Sequence, residues 1–299
     1  MPDILIVKLN ATGDVVRTTP LLHRLEGDIV WVTARANLPL LQGVHPRVRC
    51  LAWDERHQAA GTTYDLAINL EDEAETAQFV ADMRPTRVFG ACLARDGSVT
   101  YSDDARDWFD MSLISRFGRQ RADELKLHNR RSYQDMLFAG LGFEFRGERS
   151  WLPKPVPTDL HGDVAIAPVA GPVWPMKNWA LYDELQRQLE ASGLRVNMLP
   201  KRANLLEHMG DIANHRCLVG GDSLPMHLAL GLGKSCVTIF TCTSPWEIHD
   251  YGLQTQLVSP LLERFFYQRG MDTRATTAIP VRQVLDAVKQ RLDMPALAE

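Results

Sequence analysis

Short apolar runs alternate with helical patterns twice along this chain, and a proline-rich stretch separates the two series. In the first series, residues 4–9, 29–33, 48–51, 65–70 and 87–90 read as strands. Helices are expected between them at about 20–25, 37–42 and 72–83. The first of these has Thr19 as N-cap and Pro20 at its opening position, where a missing N–H costs nothing. Strands alternating with helices build a parallel sheet through right-handed crossovers, so the fold class is α/β.

Between 93 and 129 the alternation weakens into a partly helical excursion of mixed charge, and a helix follows at 133–141. The stretch WLPKPVPTDLHGD then carries Pro153, Pro155 and Pro157, which exclude helix and mark a domain boundary. Beyond it, strands at 164–167, 195–199, 217–219 and 236–240 alternate with helices at 178–192, 204–210 and 225–232. The helix from Asn178 places Trp179, Tyr182, Leu185 and Leu189 on one face, and Gly193 closes it. A last amphipathic helix at 281–292 presents Val284, Val288 and Leu292. The expected division is 1–155, 156–280 and a terminal helical segment 281–299.

A net charge of −4 over 299 residues lacks the global positive field that non-specific nucleic-acid binding needs. The five cysteines form no CxxC pair, and Cys217, Cys236 and Cys242 lie in or beside apolar runs, so reduced, buried thiols in a cytoplasmic protein are expected. The nine histidines show neither HxH nor HExxH spacing, and no metal is expected. No apolar run is long enough to cross a bilayer, which leaves at most peripheral membrane contact.

Three strand-to-helix turns carry the chemistry. KLNATGDVVRTTPLL places Asp14 in the turn after the first strand. It is either a plain βα turn or a carboxylate at the carboxyl end of a sheet, where ligands of open α/β folds bind. GGDSLPMHLALGLGKS puts Asp222 and Ser223 before a helix opened by Pro225, with His227 one turn in. Such a helix end offers backbone N–H groups to a diphosphate, although a simple capped helix has the same sequence. PVAGPVWPMKNW places Lys177 just before another helix, where it could hold a phosphate.

Other features carry less. GLGKS at 231–235 follows a helix and leads into a strand, the reverse of a phosphate-binding Walker loop. No GxGxxG follows either leading strand, which counts against a dinucleotide oxidoreductase. EDEAE at 71–75 reads as a solvated helix start rather than a metal site. Arg84, Arg87, Arg130 and Arg131 are either ordinary surface or contacts for an anionic acceptor.

Together, ILIVKLNATGDVVRTTPLL, PMKNWALYDELQRQL and GGDSLPMHLALGLGKSCVTIFTCTSPWE resemble the glycosyltransferase family 9 proteins, the ADP-heptose:lipopolysaccharide heptosyltransferases. The resemblance implies the GT-B architecture, two Rossmann-like domains facing across a cleft, with the last helix crossing back to the first domain. It also implies inverting, metal-independent transfer of a heptose from ADP-heptose to an acceptor hydroxyl in lipopolysaccharide-type biosynthesis, with no cofactor beyond the donor. Carried onto this chain, Asp14 becomes the base, with Thr12, Gly13 and Arg17 on the acceptor side. Lys177 becomes a diphosphate contact and Asp222 a ligand of sugar hydroxyls. Ser223, Leu224, Pro225 and Met226, through their backbone, and His227 become diphosphate ligands. Leu224 stands where the family has a glycine, and no acidic residue in PKRANLLEH matches the family's ribose- or base-binding one. Another nucleotide sugar, a small-molecule or protein acceptor, and a non-catalytic nucleotide-binding protein remain as alternatives.

Overall fold

The computed structural model describes residues 2–293, so the expectation for 294–299 lies outside the described residues. The chain divides into two compact units, Met1–Pro153 and Lys154–Glu299. Each is built on its own mainly parallel sheet, as the α/β expectation requires.

The first sheet contains β1 (Asp3–Val7), β2 (Asp28–Thr33), β3 (Val48–Ala52), β4 (Leu66–Asn69), β5 (Arg87–Leu93) and β6 (Val99–Tyr101) in the order β3-β2-β1-β4-β5-β6. The first five strands run parallel, and β6 pairs antiparallel to β5. Because β1 is central, its apolar run is divided between two cores. Ile4 and Ile6 pack with Trp31, Ile68 and Phe89, whereas Leu5 and Val7 pack with Val32, Ala67 and Val80. Burial on both faces explains why a central parallel strand reads as unbroken hydrophobicity. Each such side chain contributes about 1.5–3 kcal/mol when fully buried.

The second sheet contains β7 (Gly162–Ala167), β8 (Val196–Met198), β9 (His215–Gly221), β10 (Ser235–Phe240) and β11 (Gln254–Val258), all parallel, in the order β11-β10-β9-β7-β8. One face carries Val164, Ile166, Val219, Val237 and Ile239 against Trp179, Leu185 and Leu189. The last helix, Val281–Asp293, seats Val284, Ala287 and Val288 in this same core, so its apolar face is packed within the second unit.

Several boundaries differ from expectation. The helix expected at 20–25 is preceded by an α-helix at Thr12–Thr18, and Pro20 falls in a 3-10 turn, Thr19–His23. Thr19 is not an N-cap: its hydroxyl donates to the Val16 carbonyl at 2.7 Å. The chain turns earlier because the Asp14 and Val15 amides both close onto the Ala11 carbonyl, at 2.7 and 3.2 Å. The helix expected from Asn178 begins at Tyr182. The Asn178 side chain is engaged by the Ala170 amide at 2.6 Å, and the Trp179 indole donates to the Ile279 carbonyl at 2.9 Å.

Both sheets reverse direction next to their first strand. In the first unit the chain winds outward from β1 through β2 and β3, then returns to β4 on the other side of β1. In the second it goes from β7 to β8, then to β9 on the other side of β7. The crevices at the carboxyl ends of β1/β4 and β7/β9 are therefore the topological switch points at which open α/β sheets bind ligands.

Candidate active site

Each switch point is bridged by a lysine–carboxylate pair, buried in the first unit and half-buried in the second. In the first unit Lys8, the residue after β1, donates to Glu71 at 2.7 Å; their side chains are 8% and 5% exposed. The same Glu71 oxygen accepts from the Leu9 and Asn10 amides at 2.8 and 3.1 Å. Glu71 thus closes the turn that leads into the helix bearing Asp14. Within that turn Ala11 adopts a φ of 55°, a conformation that costs an L-residue roughly 1–2 kcal/mol and is held by these surrounding bonds.

Asp14 lies in the first turn of the helix, a quarter exposed, with Arg17 at 2.9 Å from one carboxylate oxygen and Lys8 at 4.0 Å from the other. Arg17 lies over the Tyr133 ring at 4.1 Å and over Trp108 at 5.6 Å. Tyr133 is buried and shares a hydrogen bond of 2.8 Å with Thr18, whose hydroxyl also lies 2.6 Å from the Asp14 carbonyl. Thr12 donates to Asn37 at 2.8 Å, and Asn37 in turn donates to the Leu9 carbonyl at 2.7 Å. Gly13 completes the first turn beside them. Burial works against the charge of Lys8, but Asp14, Glu71 and Tyr133 outweigh it and raise the ammonium above its ordinary value.

In the second unit Lys177 follows β7 and donates to the Asp222 carbonyl at 2.8 Å and to its carboxylate at 2.9 Å. The His227 Nε2 lies 3.9 Å from the other Asp222 oxygen. Gly221 permits this approach, since a Cβ there would lie 2.7 Å from the Lys177 carbonyl. Ser223 occupies the N-cap position of the helix Leu224–Gly231, but its hydroxyl makes no cap bond; it lies 3.4 Å from the Gly221 carbonyl. The Met226 and His227 amides bond to the Ser223 carbonyl, and Pro225 has no N–H. Leu224 and Pro225 are half-buried, whereas the Met226 side chain is fully buried. The site expected from sequence in this unit, Lys177 with Asp222–His227, is thus brought together around one ion pair.

Sequence reasoning missed Lys8, Asn37, Glu71 and Tyr133. Glu71 corrects the reading of EDEAE as a solvated helix start: the helix begins at Ala74, and Glu71 is buried at the end of β4. The available signal was opposite charge directly after two neighbouring apolar strands. Among the described residues, no group of three or more His, Cys, Asp or Glu side chains could hold a metal ion. A groove of ≈ 500 Å³ on the second unit, lined by Pro157–Leu160, Arg202 and Glu207, includes none of the expected site residues.

Residues 173–264 match the family model of glycosyltransferase family 9 (heptosyltransferase), a segment that contains the Lys177–Asp222–His227 cluster. Among curated proteins, none matches the sequence. The fold is similar to that of a family 9 glycosyl transferase from Veillonella parvula (TM-score 0.69, 16% identity, 97% of each chain covered). It is also similar to the E. coli heptosyltransferase WaaC solved with ADP (TM-score 0.62, 16% identity, 97% of this chain and 99% of that one). A third similar structure is E. coli ADP-heptose lps heptosyltransferase II (TM-score 0.57, 15% identity, 97% and 98% covered). The two parallel-sheet units are the Rossmann-like pair expected of a GT-B protein. The chain therefore resembles glycosyltransferase family 9 in sequence over residues 173–264 and in fold over nearly its whole length, and the two likenesses together support a glycosyltransferase.

Proposed function

We propose that the protein is an inverting, metal-independent glycosyltransferase that moves a heptose from ADP-heptose to a hydroxyl of a bacterial, lipopolysaccharide-type glycan. The observation that carries this reading is the Lys177–Asp222–His227 cluster at the start of the helix Leu224–Gly231, inside the segment that matches the family. A helix N-terminus and a lysine are suited to a diphosphate, and the E. coli relatives are named for ADP and ADP-heptose.

In this reaction the acceptor oxygen forms a bond to the anomeric carbon as the bond from that carbon to the diphosphate breaks. Asp14 takes the acceptor's proton, since a hydroxyl is a weak nucleophile until it loses one. ADP leaves with the bonding electron pair, and Lys177, His227 and the helix end meet its growing negative charge. Asp222 holds sugar hydroxyls, and Thr12, Gly13 and Arg17 line the acceptor side. Five free cysteines fit a reducing compartment, where nucleotide sugars are made, so we place the reaction in the cytoplasm. No described helix is long and apolar enough to cross a membrane, and a lipid-linked acceptor would be met by peripheral contact.

The reading is tested by thermal shift against ADP, UDP, GDP and NAD, because a ligand that binds only the folded state raises the melting temperature. A rise with ADP alone is expected. A preference for UDP or GDP would discard the ADP-linked donor, and a rise with NAD alone would overturn transfer altogether. In Asp14→Ala, ADP should still raise the melting temperature while transfer collapses; unchanged transfer would remove Asp14 from its role as base.

A further inference from the structure

We infer that Glu71 neutralises Lys8 and thereby preserves the basicity of Asp14, which makes Glu71 a positioning residue of the proposed base; this rests on the reading of Asp14 given above. The geometry is specific. Lys8 Nζ sits 2.7 Å from Glu71 Oε1 and 4.0 Å from Asp14 Oδ2, so one ammonium is shared unequally between two carboxylates. Lys8 and Glu71 are both buried, where charges interact more strongly than in water. A base beside an uncompensated ammonium would bind its proton weakly, because the cation favours the ionised carboxylate.

Arg17, Tyr133 and Asp72 also bear on this point. Arg17 pairs with Asp14 from the same helix at 2.9 Å and is itself spread over Tyr133. Tyr133 is raised chiefly by burial, with Asp14 adding to that and the Lys8 and Arg17 charges opposing it. Asp72 is also raised by burial first, and next by the charge of Glu71. None of these replaces the anion that Glu71 supplies directly to Lys8. Glu71 also fixes the Leu9 and Asn10 amides, so charge and turn geometry come from one residue.

The test is an NMR titration of the Asp14 carboxylate in protein labelled at aspartate Cγ, with the resonance assigned by its loss in Asp14→Asn. It reads the carboxylate whether or not the protein transfers sugar, so its failure is distinct from failure of the proposed function. In Glu71→Gln the Asp14 midpoint should fall by about one pH unit. In Lys8→Met/Glu71→Gln, which removes the pair together, it should return to within about half a unit of wild type. If Glu71→Gln does not fold, Lys8→Met takes its place: it removes the ammonium alone and should raise the Asp14 midpoint by about one pH unit, and an unchanged midpoint there overturns the inference as well. Were Lys8 acting on Asp14 without compensation, removing both residues would raise the midpoint by about one unit instead. That rise, or an unchanged midpoint in folded Glu71→Gln, would overturn the inference.

Discussion

Lys177 and Asp222 are 45 residues apart, yet their side chains meet at 2.9 Å with only 16% and 13% exposure. A charged hydrogen bond in so sheltered a place is worth about 1.5–3 kcal/mol. A diphosphate seated here would draw on a contact of the same kind. Lys177→Met should therefore weaken ADP binding roughly tenfold or more, with a shallower dependence on salt, as read by titration calorimetry. Equal affinity in the variant would exclude Lys177 from the nucleotide site. Asp14, Lys177, Asp222 and His227 were legible in the sequence as candidates because each lies in or within one helical turn of a strand-to-helix connection, and such connections are recognisable from local pattern. Glu71 was not legible. Its partners Lys8, Leu9 and Asn10 are more than sixty residues away, and a run of acidic residues looks solvated until the sheet order places β4 beside β1.

At the scale of elements, the strands of β1, β2 and β7 were readable because burial on both faces leaves unbroken apolar runs. β11 was not, since Gln254, Thr255 and Gln256 interrupt the pattern; Gln254 is buried but satisfied by the Thr238 hydroxyl at 2.7 Å. The proline-rich segment was read as a linker, and its packing was invisible in sequence. The Val156 amide bonds to the Leu206 carbonyl at 3.0 Å, and Asn214 donates to the Thr158 carbonyl at 3.0 Å. The segment is therefore strapped along the helix Leu205–Ala213. Gly210 makes this possible: a Cβ there would lie 2.0 Å from the Val156 carbonyl oxygen. Gly210→Ala must push strap and helix apart, at a cost of about 1–3 kcal/mol in urea unfolding. It should also speed hydrogen exchange at the Val156 amide, whereas wild-type stability and exchange in this variant would mean that the strap contributes nothing.

The whole molecule carries its acid sensitivity unevenly. His208 and His215 both belong to the second unit, and both are held below their ordinary value. For each, burial is the largest cause; Arg202 adds to it at His208, and Asp211 opposes it at both. A histidine depressed in the folded state binds fewer protons there than when unfolded, so stability falls as pH drops below about 6.5. Asp211 is held down by its bonds to Arg202 and Thr158 against the effect of burial, and it extends the loss at lower pH. Its contribution is complete above about 3.8 and disappears as pH falls through the folded value. In the first unit His45 is shifted the same way, by burial and then by Arg47 and His23, but it is only half-buried. Lys8 acts at the other extreme, where its raised value makes stability fall only as pH climbs beyond about 10.5. Since each unit has its own core, calorimetry at stepwise pH should show the transition of the second unit falling as pH drops below about 6.5, and by more than that of the first, which has only the half-buried His45. A His208→Gln/His215→Gln double variant should flatten this fall. A melting temperature that is level across the window in wild type would show that these imidazoles gain no protons on unfolding, and the acid limit would then belong to the carboxylates.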